Sequence, residues 1–383
     1  MIYLLYNSMA SFIESIKKIF SQEHGKRIVG IDIGASSIKI VEVENVDDRA
    51  VLRNYGEIGL GSLAGVETGQ STNLPHEKLS DALLEILKET GIETKHSAIA
   101  IPFSASLLTV AELPNVGEKE LESMIPLEAR RYIPVPISEV SLDWWILPKR
   151  KKEIQKVELP PQSGTGLGKT EVMIAAIHNE VIAKYETIKK NAQLSEKTSH
   201  FEIEIFSTLR AVVGGDLAPT LMIDIGAAGT KLAVIDEGVV RGSHVVSFGG
   251  QDITFTLSRS LSIPFNQAEE MKCRFGMLGE EEGRDVKAVA EPILAKMIGE
   301  VRHFIENYEH KYDTKINKII LVGGGARLKG VDKNIAESFH GVDVSIGSPF
   351  SRVDGPALLG PTLKELGPSF AVAIGVALKA LEE

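Results

Sequence analysis

The sequence predicts an α/β protein built from two similar lobes, and three observations lead to this fold class. Residues 31–40 read IDIGASSIKI and residues 223–232 read IDIGAAGTKL, so six of ten positions are identical in register. Each copy has an apolar run, a turn of small residues and a second apolar run, which is the pattern of a β-hairpin. A further apolar run, residues 318–322, leads into three glycines, and a strand, a glycine turn and a helix from Ala326 are predicted there.

Length and composition limit the classes of protein that the chain can represent. Its 383 residues are enough for two or more packed units. The formal net charge of −10 argues against a general surface for nucleic acid or anionic lipid. Cys273 is the one cysteine, which excludes an internal disulfide and favours a reducing compartment. No apolar run is long enough to span a bilayer.

The first 26 residues are expected to form an extension with a candidate amphipathic helix. Its apolar positions share one helical face, with two lysines off that face: Phe12, Ile13, Ile16, Ile19, Phe20, Lys17 and Lys18. Such a helix can lie at a membrane interface or bind a partner. The pattern favours a helix folded on the body of the protein, or a loosely ordered extension.

The two hairpins predict an anion site with a polar centre. Backbone N–H groups in turns of glycine, alanine and serine can point at an anion, and small side chains allow phosphate oxygens to come close. Asp32 and Asp224 lie inside otherwise apolar strands, where a carboxylate serves a metal, a water network or a hydrogen-bond donor. Lys39 lies two residues past the first turn and is better placed for a phosphate than Lys231.

Residues 163–170 read SGTGLGKT, which has some likeness to a phosphate-binding P-loop. A P-loop needs glycine, four residues and then Gly-Lys-Ser/Thr, and its first glycine would fall at Ser163. Residues 171–177 have the pattern of a strand, whereas a P-loop opens a helix. The segment is therefore interpreted as a flexible connection between two strands.

Two Asp-Gly hairpins together with a later strand and glycine triplet resemble the actin-like ATPase superfamily, in which two duplicated, ribonuclease-H-like lobes clamp Mg-ATP. The resemblance implies that Asp32 and Asp224 hold Mg²⁺ through water, and that Glu269 and Lys272 flank the ribose and base. It implies that the remaining nucleotide contacts come from Lys39 and the three turns: Gly34, Ala35, Ser36, Ser37, Gly226, Ala227, Ala228, Gly229, Thr230, Gly323, Gly324 and Gly325. Ala228 stands where many members have glycine or a polar residue.

The segment between the hairpins resembles one family in particular. Residues 124–143 read MIPLEARRYIPVPISEVSLD, which is similar to the PilM family of type IV pilus assembly proteins. The resemblance continues in VGIDIGASSIKIVEV near the start and LGPSFAVAIGVALK at the close, and the family is related to the cell-division protein FtsA. It implies an FtsA-type (SHS2-like) inserted subdomain in the first lobe.

The positions of these motifs divide the chain into units. The inserted subdomain is predicted to contain strands near residues 107–111, 143–147 and 172–177 and helices over residues 118–132 and 180–192. The predicted units are an extension (1–26), the first lobe (27–104 and 198–220) with the inserted subdomain (105–197), the second lobe (221–360, with a nucleotide-facing part at 254–317) and a C-terminal helix that returns to the first lobe (361–383).

The resemblance implies a cytoplasmic ATP-binding scaffold at the inner-membrane platform of a type IV pilus or a related type II secretion system. Its partner would be the N-terminal peptide of a PilN-like single-span membrane protein, bound near Tyr132, Ile133 and Val135. The alternatives are an FtsA-like division or cytoskeletal protein and, ranked lower, a small-molecule kinase. The chain ends in a helix read as core, with no basic amphipathic tail after it, which favours the first interpretation over FtsA.

The same resemblance implies at most slow ATP hydrolysis. Related ATPases orient the attacking water with a polar residue that lies between the inserted subdomain and the second hairpin. Residues 200–206 alternate as a strand would, which predicts Glu202 and Glu204 on one face. Glu202 aligns better with the acidic position of the superfamily and is the candidate catalytic residue.

Overall fold

The computed structural model describes residues 26–150, 169–195, 199–279 and 284–382. Two five-stranded sheets have the same topology, with strand orders β3-β2-β1-β4-β8 and β11-β10-β9-β12-β13. Their strands are β1 Arg27–Ile33, β2 Ser37–Val46, β3 Arg49–Gly59, β4 Ser97–Ile101, β8 Ser199–Ile203, β9 Thr220–Ile225, β10 Thr230–Asp236, β11 Val239–Val246, β12 Lys318–Val322 and β13 Asp343–Ile346. In each lobe an antiparallel hairpin is continued by parallel strands, so the predicted duplication is confirmed.

Helices cover the sheets and connect the lobes. The described α-helices are α1 Gly61–Ala64, α2 His76–Glu89, α3 Glu118–Ala129, α4 Asn179–Asn191, α5 Glu204–Val212, α6 Gly250–Leu261, α7 Phe265–Phe275, α8 Arg284–Tyr312, α9 Val331–Ser338, α10 Gly360–Leu366 and α11 Ala371–Glu382. Strands β1 and β9 are buried along nearly their whole length, as expected for central strands with both faces covered.

Helices α5 and α11 pack against each other, and one hydrophobic core joins them to both sheets. Glycines make this packing close. A Cβ at Gly375 would lie 1.8 Å from the carbonyl oxygen of Ser207, and one at Gly30 would lie 2.1 Å from that of Ala373. The C-terminal helix therefore packs on the first lobe, and its backbone touches both α5 and β1.

The inserted subdomain is a three-stranded sheet of order β5-β7-β6 covered by α3, with β5 Ser106–Pro114, β6 Val140–Ile146 and β7 Lys169–His178. Helix α4, which the sequence division places in this unit, packs instead against α2 with Tyr185 and Ile188 in the core of the first lobe. Residues 151–168 lie outside the described residues. The final two residues of the P-loop-like stretch, Lys169 and Thr170, begin strand β7 and not a helix.

The inserted subdomain also contacts the second lobe through a group of four residues that we call the Arg241 network: Arg150, Glu171, Arg241 and Tyr312. Arg241 bonds Glu171 at 2.9 Å and donates to the Pro148 carbonyl at 2.6 Å. The Tyr312 hydroxyl donates to Glu171 at 2.8 Å, and the Arg150 guanidinium donates to the Tyr312 carbonyl at 2.8 Å. The Arg241 side chain is 1% exposed, so this contact is a desolvated one.

Two local expectations differ from the structure. The predicted strand over residues 200–206 ends at Ile203, and Glu204 begins helix α5. The glycine triplet does not lead directly into a helix at Ala326, because a 3₁₀ turn, Gly324–Arg327, comes next and α9 begins at Val331. The candidate helix within residues 1–26 falls on residues 1–25, which lie outside the described residues.

Candidate functional site

A deep cleft lies between the two lobes, with a volume of about 1440 Å³. Both hairpin turns, the glycine triplet and helix α7 line it. The two hairpin turns close in the same way, because Gly34 donates to the Ser37 carbonyl and Gly226 to the Gly229 carbonyl, each at 3.0 Å. The duplicated motif therefore presents two equivalent backbone turns to one cavity.

Glycines allow the third turn to pack directly on the second hairpin. Gly323 has φ +83°, and a Cβ there would lie 2.3 Å from the Asp224 carboxylate; one at Gly325 would lie 2.2 Å from Ile225. A positive φ is a conformation that glycine adopts without strain. The triplet thus brings backbone close to Asp224, and all three of its glycines line the cleft.

Strand register places a lysine opposite each aspartate. Asp32 pairs with Lys39 across the first hairpin, and Asp224 pairs with Lys231 across the second. The two lysines then diverge. The Lys39 ammonium bonds Ser37 at 2.6 Å and Glu57 at 3.2 Å.

The Lys231 ammonium bonds two carboxylates, Glu204 at 3.0 Å and Asp224 at 3.3 Å. Burial would lower the pKa of Lys231, but Asp224, Glu204 and Asp32 raise it above its ordinary value. Glu204 is held in turn by the backbone N–H of Phe103, at 2.6 Å. Residues from β9, β10 and the start of α5 therefore form one ion-paired cluster in the cleft.

Asp32 differs from Asp224 because no donor within the described residues bonds its carboxylate. Burial raises the pKa of Asp32 to about 7, although the Lys39 ammonium opposes the shift. A partly buried carboxylate without a donor among the described residues fits a hydrated cation, whose water can donate to it. Within the described residues no group of three or more His, Cys, Asp or Glu side chains could hold a metal by itself.

Helices α6 and α7 form the second-lobe wall of the cleft. Lys272 bonds Glu269 at 2.7 Å and donates to the Thr254 hydroxyl at 2.9 Å and the Gly250 carbonyl at 3.1 Å. A loop of the first lobe reaches this wall, because Gln251 accepts from the Ser71 N–H at 3.0 Å. The predicted pair is therefore in the cleft, where the lobes meet.

Most of the predicted site residues line the cleft together: Asp32, Gly34, Ala35, Ser36, Ser37, Lys39, Asp224, Gly226, Ala227, Ala228, Gly229, Glu269, Lys272, Gly323, Gly324 and Gly325. Two predicted residues are placed elsewhere. Thr230 is buried and donates its hydroxyl to the Phe248 carbonyl at 2.8 Å. Glu202 bonds Arg210 at 2.6 and 2.7 Å and Ser207 at 2.5 Å, and it does not line the cleft.

The sequence patterns do not reveal the roles of two residues that line the cleft, Glu204 and Lys231. They make Glu204 a second strand residue, and they rank Lys231 below Lys39. The hairpin register could have identified Lys231, because counting residues outward from the turn along both strands pairs Lys231 with Asp224.

The fold and the cleft define a protein of the actin-like ATPase fold, with two duplicated lobes and an inserted subdomain in the first. A family model described as type IV pilus assembly protein PilM matches residues 30–381. The chain belongs to this family.

Individual relatives and solved structures are similar to the chain over most of its length. A chain of the solved PilM-PilN type IV pilus biogenesis complex has a TM-score of 0.74 and 26% identity, over 93% of this chain and 99% of that chain. The ethanolamine utilization protein EutJ from Carboxydothermus hydrogenoformans has the same fold, with a TM-score of 0.52 and 17% identity over 95% of this chain and 93% of that one. The cell division protein FtsA of Buchnera aphidicola is 22% identical, over 85% of this chain and 84% of that protein. Within the described residues, no helix has the length and apolar character needed to cross a membrane.

Proposed function

We propose that this protein is an ATP-binding scaffold of the type IV pilus assembly platform, which works at the cytoplasmic face of the inner membrane. The observation that supports nucleotide binding best is the pair of matched hairpin turns that face one cleft, each with an aspartate at its base. Membership of the PilM family supports the assembly role.

In this proposal the triphosphate lies between the two hairpin turns. Their backbone N–H groups hold the phosphates, and Lys39 adds a cation near the first turn. Bound magnesium would supply charge neutralisation, and Asp32 would hold it through water. Glu269 and Lys272 lie beside the ribose and base, and the glycine triplet closes the adenosine side.

A charge placed in the first turn tests this arrangement. Ala35 is exposed in the cleft, so Ala35→Asp adds a carboxylate where phosphate would lie without filling a packed site. Mg-ATP should raise the melting temperature of the wild type, because a ligand that binds only the folded state stabilises it by mass action. Ala35→Asp should abolish that rise and Ala35→Ser should keep it.

A second variant tests the rejected P-loop. The Lys169 ammonium is bonded to Glu112 on the inserted subdomain at 2.9 Å and is largely exposed, so Lys169→Ala should keep the shift that Mg-ATP produces. If Lys169→Ala lost the Mg-ATP shift in melting temperature while Ala35→Asp kept it, the nucleotide site would instead lie at residues 163–170.

Hydrolysis is proposed to be slow, with the nucleotide acting mainly as a clamp. The sequence candidate Glu202 is engaged by Arg210 outside the cleft, whereas Glu204 lines the cleft but is ion-paired with Lys231. Neither carboxylate is free to orient water, which phosphoryl transfer requires. Steady-state phosphate release should stay below about 1 per second, the low end for evolved enzymes. Faster release that is lost in Glu202→Gln would contradict the clamp proposal.

The partner is proposed to be the N-terminal peptide of a PilN-like membrane protein. The related structure is a complex of PilM with PilN, and a second cavity of about 560 Å³ lies beside the proline-rich loop of the inserted subdomain. It is lined by Arg130, Ile133, Pro134, Val135, Pro136, Ile137 and Ser138. Ile133 is 7% exposed and belongs to the subdomain core, whereas Tyr132 is 37% exposed. An extended peptide can bury apolar side chains in such a groove.

Val135→Glu tests this groove, with Leu127→Glu as its matched control. Both residues belong to the inserted subdomain, but Leu127 is 62% exposed and does not line the cavity. Val135→Glu should weaken binding of a fluorescently labelled PilN peptide at least about tenfold, since a charge would then replace an apolar contact, and Leu127→Glu should leave the affinity unchanged. Equal affinity in both variants would remove the groove from the interface, whatever the outcome for ATP.

A further inference from the structure

The lysines opposite the two aspartates have different bonding partners, although the two hairpins are duplicates of each other. Each hairpin sets a lysine opposite its aspartate in register. In the first lobe the lysine is bonded to Ser37 and Glu57, and Asp32 has no donor in the part of the chain that the structure describes. In the second lobe Lys231 is bonded to Asp224 and also to Glu204 from helix α5.

The Lys231 ammonium is held at a defined position by its carboxylate partners and does not simply extend into solvent. The two carboxylates are 7% and 8% exposed, and the lysine side chain is 23% exposed. Glu204 cannot turn away freely, because the Phe103 N–H holds its other carboxylate oxygen at 2.6 Å. Two desolvated carboxylates from separate elements are thus fixed around one point, and the Lys231 ammonium lies there.

This point is inside the cleft, where a nucleotide would bring several more negative charges. Asp224, Glu204 and Lys231 line the same cavity as both hairpin turns. Like charges that lie close together repel strongly where water is partly excluded. A bound triphosphate therefore needs a cation between it and the two carboxylates.

We propose that Lys231 is the resident counter-cation of the second-lobe half of the site, so that nucleotide binding depends only weakly on a divalent cation. The proposal rests on the proposed nucleotide function and specifies how this chain meets its charge requirement. The Lys231 ammonium offsets one of the two negative charges of Asp224 and Glu204, and a magnesium ion would add its effect mainly beside Asp32.

The test is the affinity of a fluorescent ATP analogue for the full chain, measured with Mg²⁺ and again with EDTA. The wild type should lose less than about tenfold in affinity when Mg²⁺ is removed, whereas Lys231→Met should lose about a hundredfold, because one unit charge beside the phosphates is then missing. Lys231→Arg keeps the cation and should behave as the wild type. Lys318→Met is the matched control, since Lys318 is also a strand lysine of the second sheet, bonded to Asp216 at 3.0 Å and away from the cleft.

Lys231→Met leaves two carboxylates unpaired, which can prevent folding. The double variant Lys231→Met/Glu204→Gln removes one charge of each sign and keeps the proposal testable. It should fold and should lose less affinity in EDTA than Lys231→Met does. Equal EDTA effects in the wild type, Lys231→Met and the double variant would overturn the role of Lys231. Absence of analogue binding by the wild type in both buffers would instead refute the nucleotide function, and the role of Lys231 with it.

Discussion

Two helical glycines, Gly375 and Gly299, should respond to alanine substitution in opposite directions. Gly375 lies in α11 where this helix crosses α5, and an added Cβ would lie 1.8 Å from the carbonyl oxygen and 2.4 Å from the carbonyl carbon of Ser207. Gly299 lies in α8, is exposed, and has no atom within 4 Å of an added Cβ. The same chemical change therefore meets a helix backbone in one case and open space in the other.

These distances set the expected magnitudes. Alanine is preferred over glycine in a helix by roughly 0.5–1 kcal/mol, and Gly299→Ala should gain this amount. At Gly375 the colliding atoms belong to the backbone, so the two helices must separate, which places the cost at the upper end for overpacking, about 3 kcal/mol. After the helix preference is subtracted, Gly375→Ala should destabilise the protein by about 2 kcal/mol.

Urea unfolding monitored by circular dichroism measures both effects. The midpoint should fall for Gly375→Ala and rise slightly for Gly299→Ala, with similar slopes if the denatured states are alike. An unchanged or raised midpoint for Gly375→Ala would show that α5 and α11 are not in backbone contact.

Three further perturbations address the site and the contact between the lobes. Asp32→Asn should stabilise the nucleotide-free protein by roughly 1–2 kcal/mol more at pH 8 than at pH 5. The pKa of Asp32 is raised to about 7 in the folded protein, so the wild type loses stability as pH rises from about 4 to 7, and asparagine avoids this loss. An equal gain at both pH values in urea unfolding would contradict the prediction. Arg241→Met should cost about 3 kcal/mol by leaving Glu171 short of its partner and should speed amide exchange in β7, with Lys169→Met as the exposed control. Glu202→Gln should lower stability through Arg210 and leave the affinity for Mg-ATP unchanged; a loss of about tenfold in affinity, which corresponds to about 1.4 kcal/mol, would place Glu202 in the site.

The sequence predicts the parts of the fold that short-range patterns specify. The repeated IDIGA motif predicts both hairpins, and the turn residues predict which backbone faces the cleft. The order of the motifs then predicts two duplicated lobes, because strand, turn and strand at matched spacing leave few other arrangements. These features depend on residues that are close in the chain.

The features that the sequence does not reveal depend on distant residues. The alternation around Glu202 and Glu204 has strand periodicity, but the buried positions of α5 need a helix that can pack on α11. The sequence pattern alone cannot distinguish a strand from a helix at Glu204, because tertiary packing overrides local propensity. The Arg241 network likewise joins positions on four segments whose proximity appears only after folding.

The Arg241 network has a mechanical consequence for the whole molecule. The inserted subdomain is joined to the first lobe by its two chain connections, at β5 and β7, and is bonded to the second lobe by Arg241 and Tyr312. A rotation of one lobe against the other therefore cannot leave this subdomain where it is, since either the network breaks or the subdomain tilts on its connections. A change in the angle between the lobes would therefore also displace the inserted subdomain, and with it the proline-rich loop at Pro134.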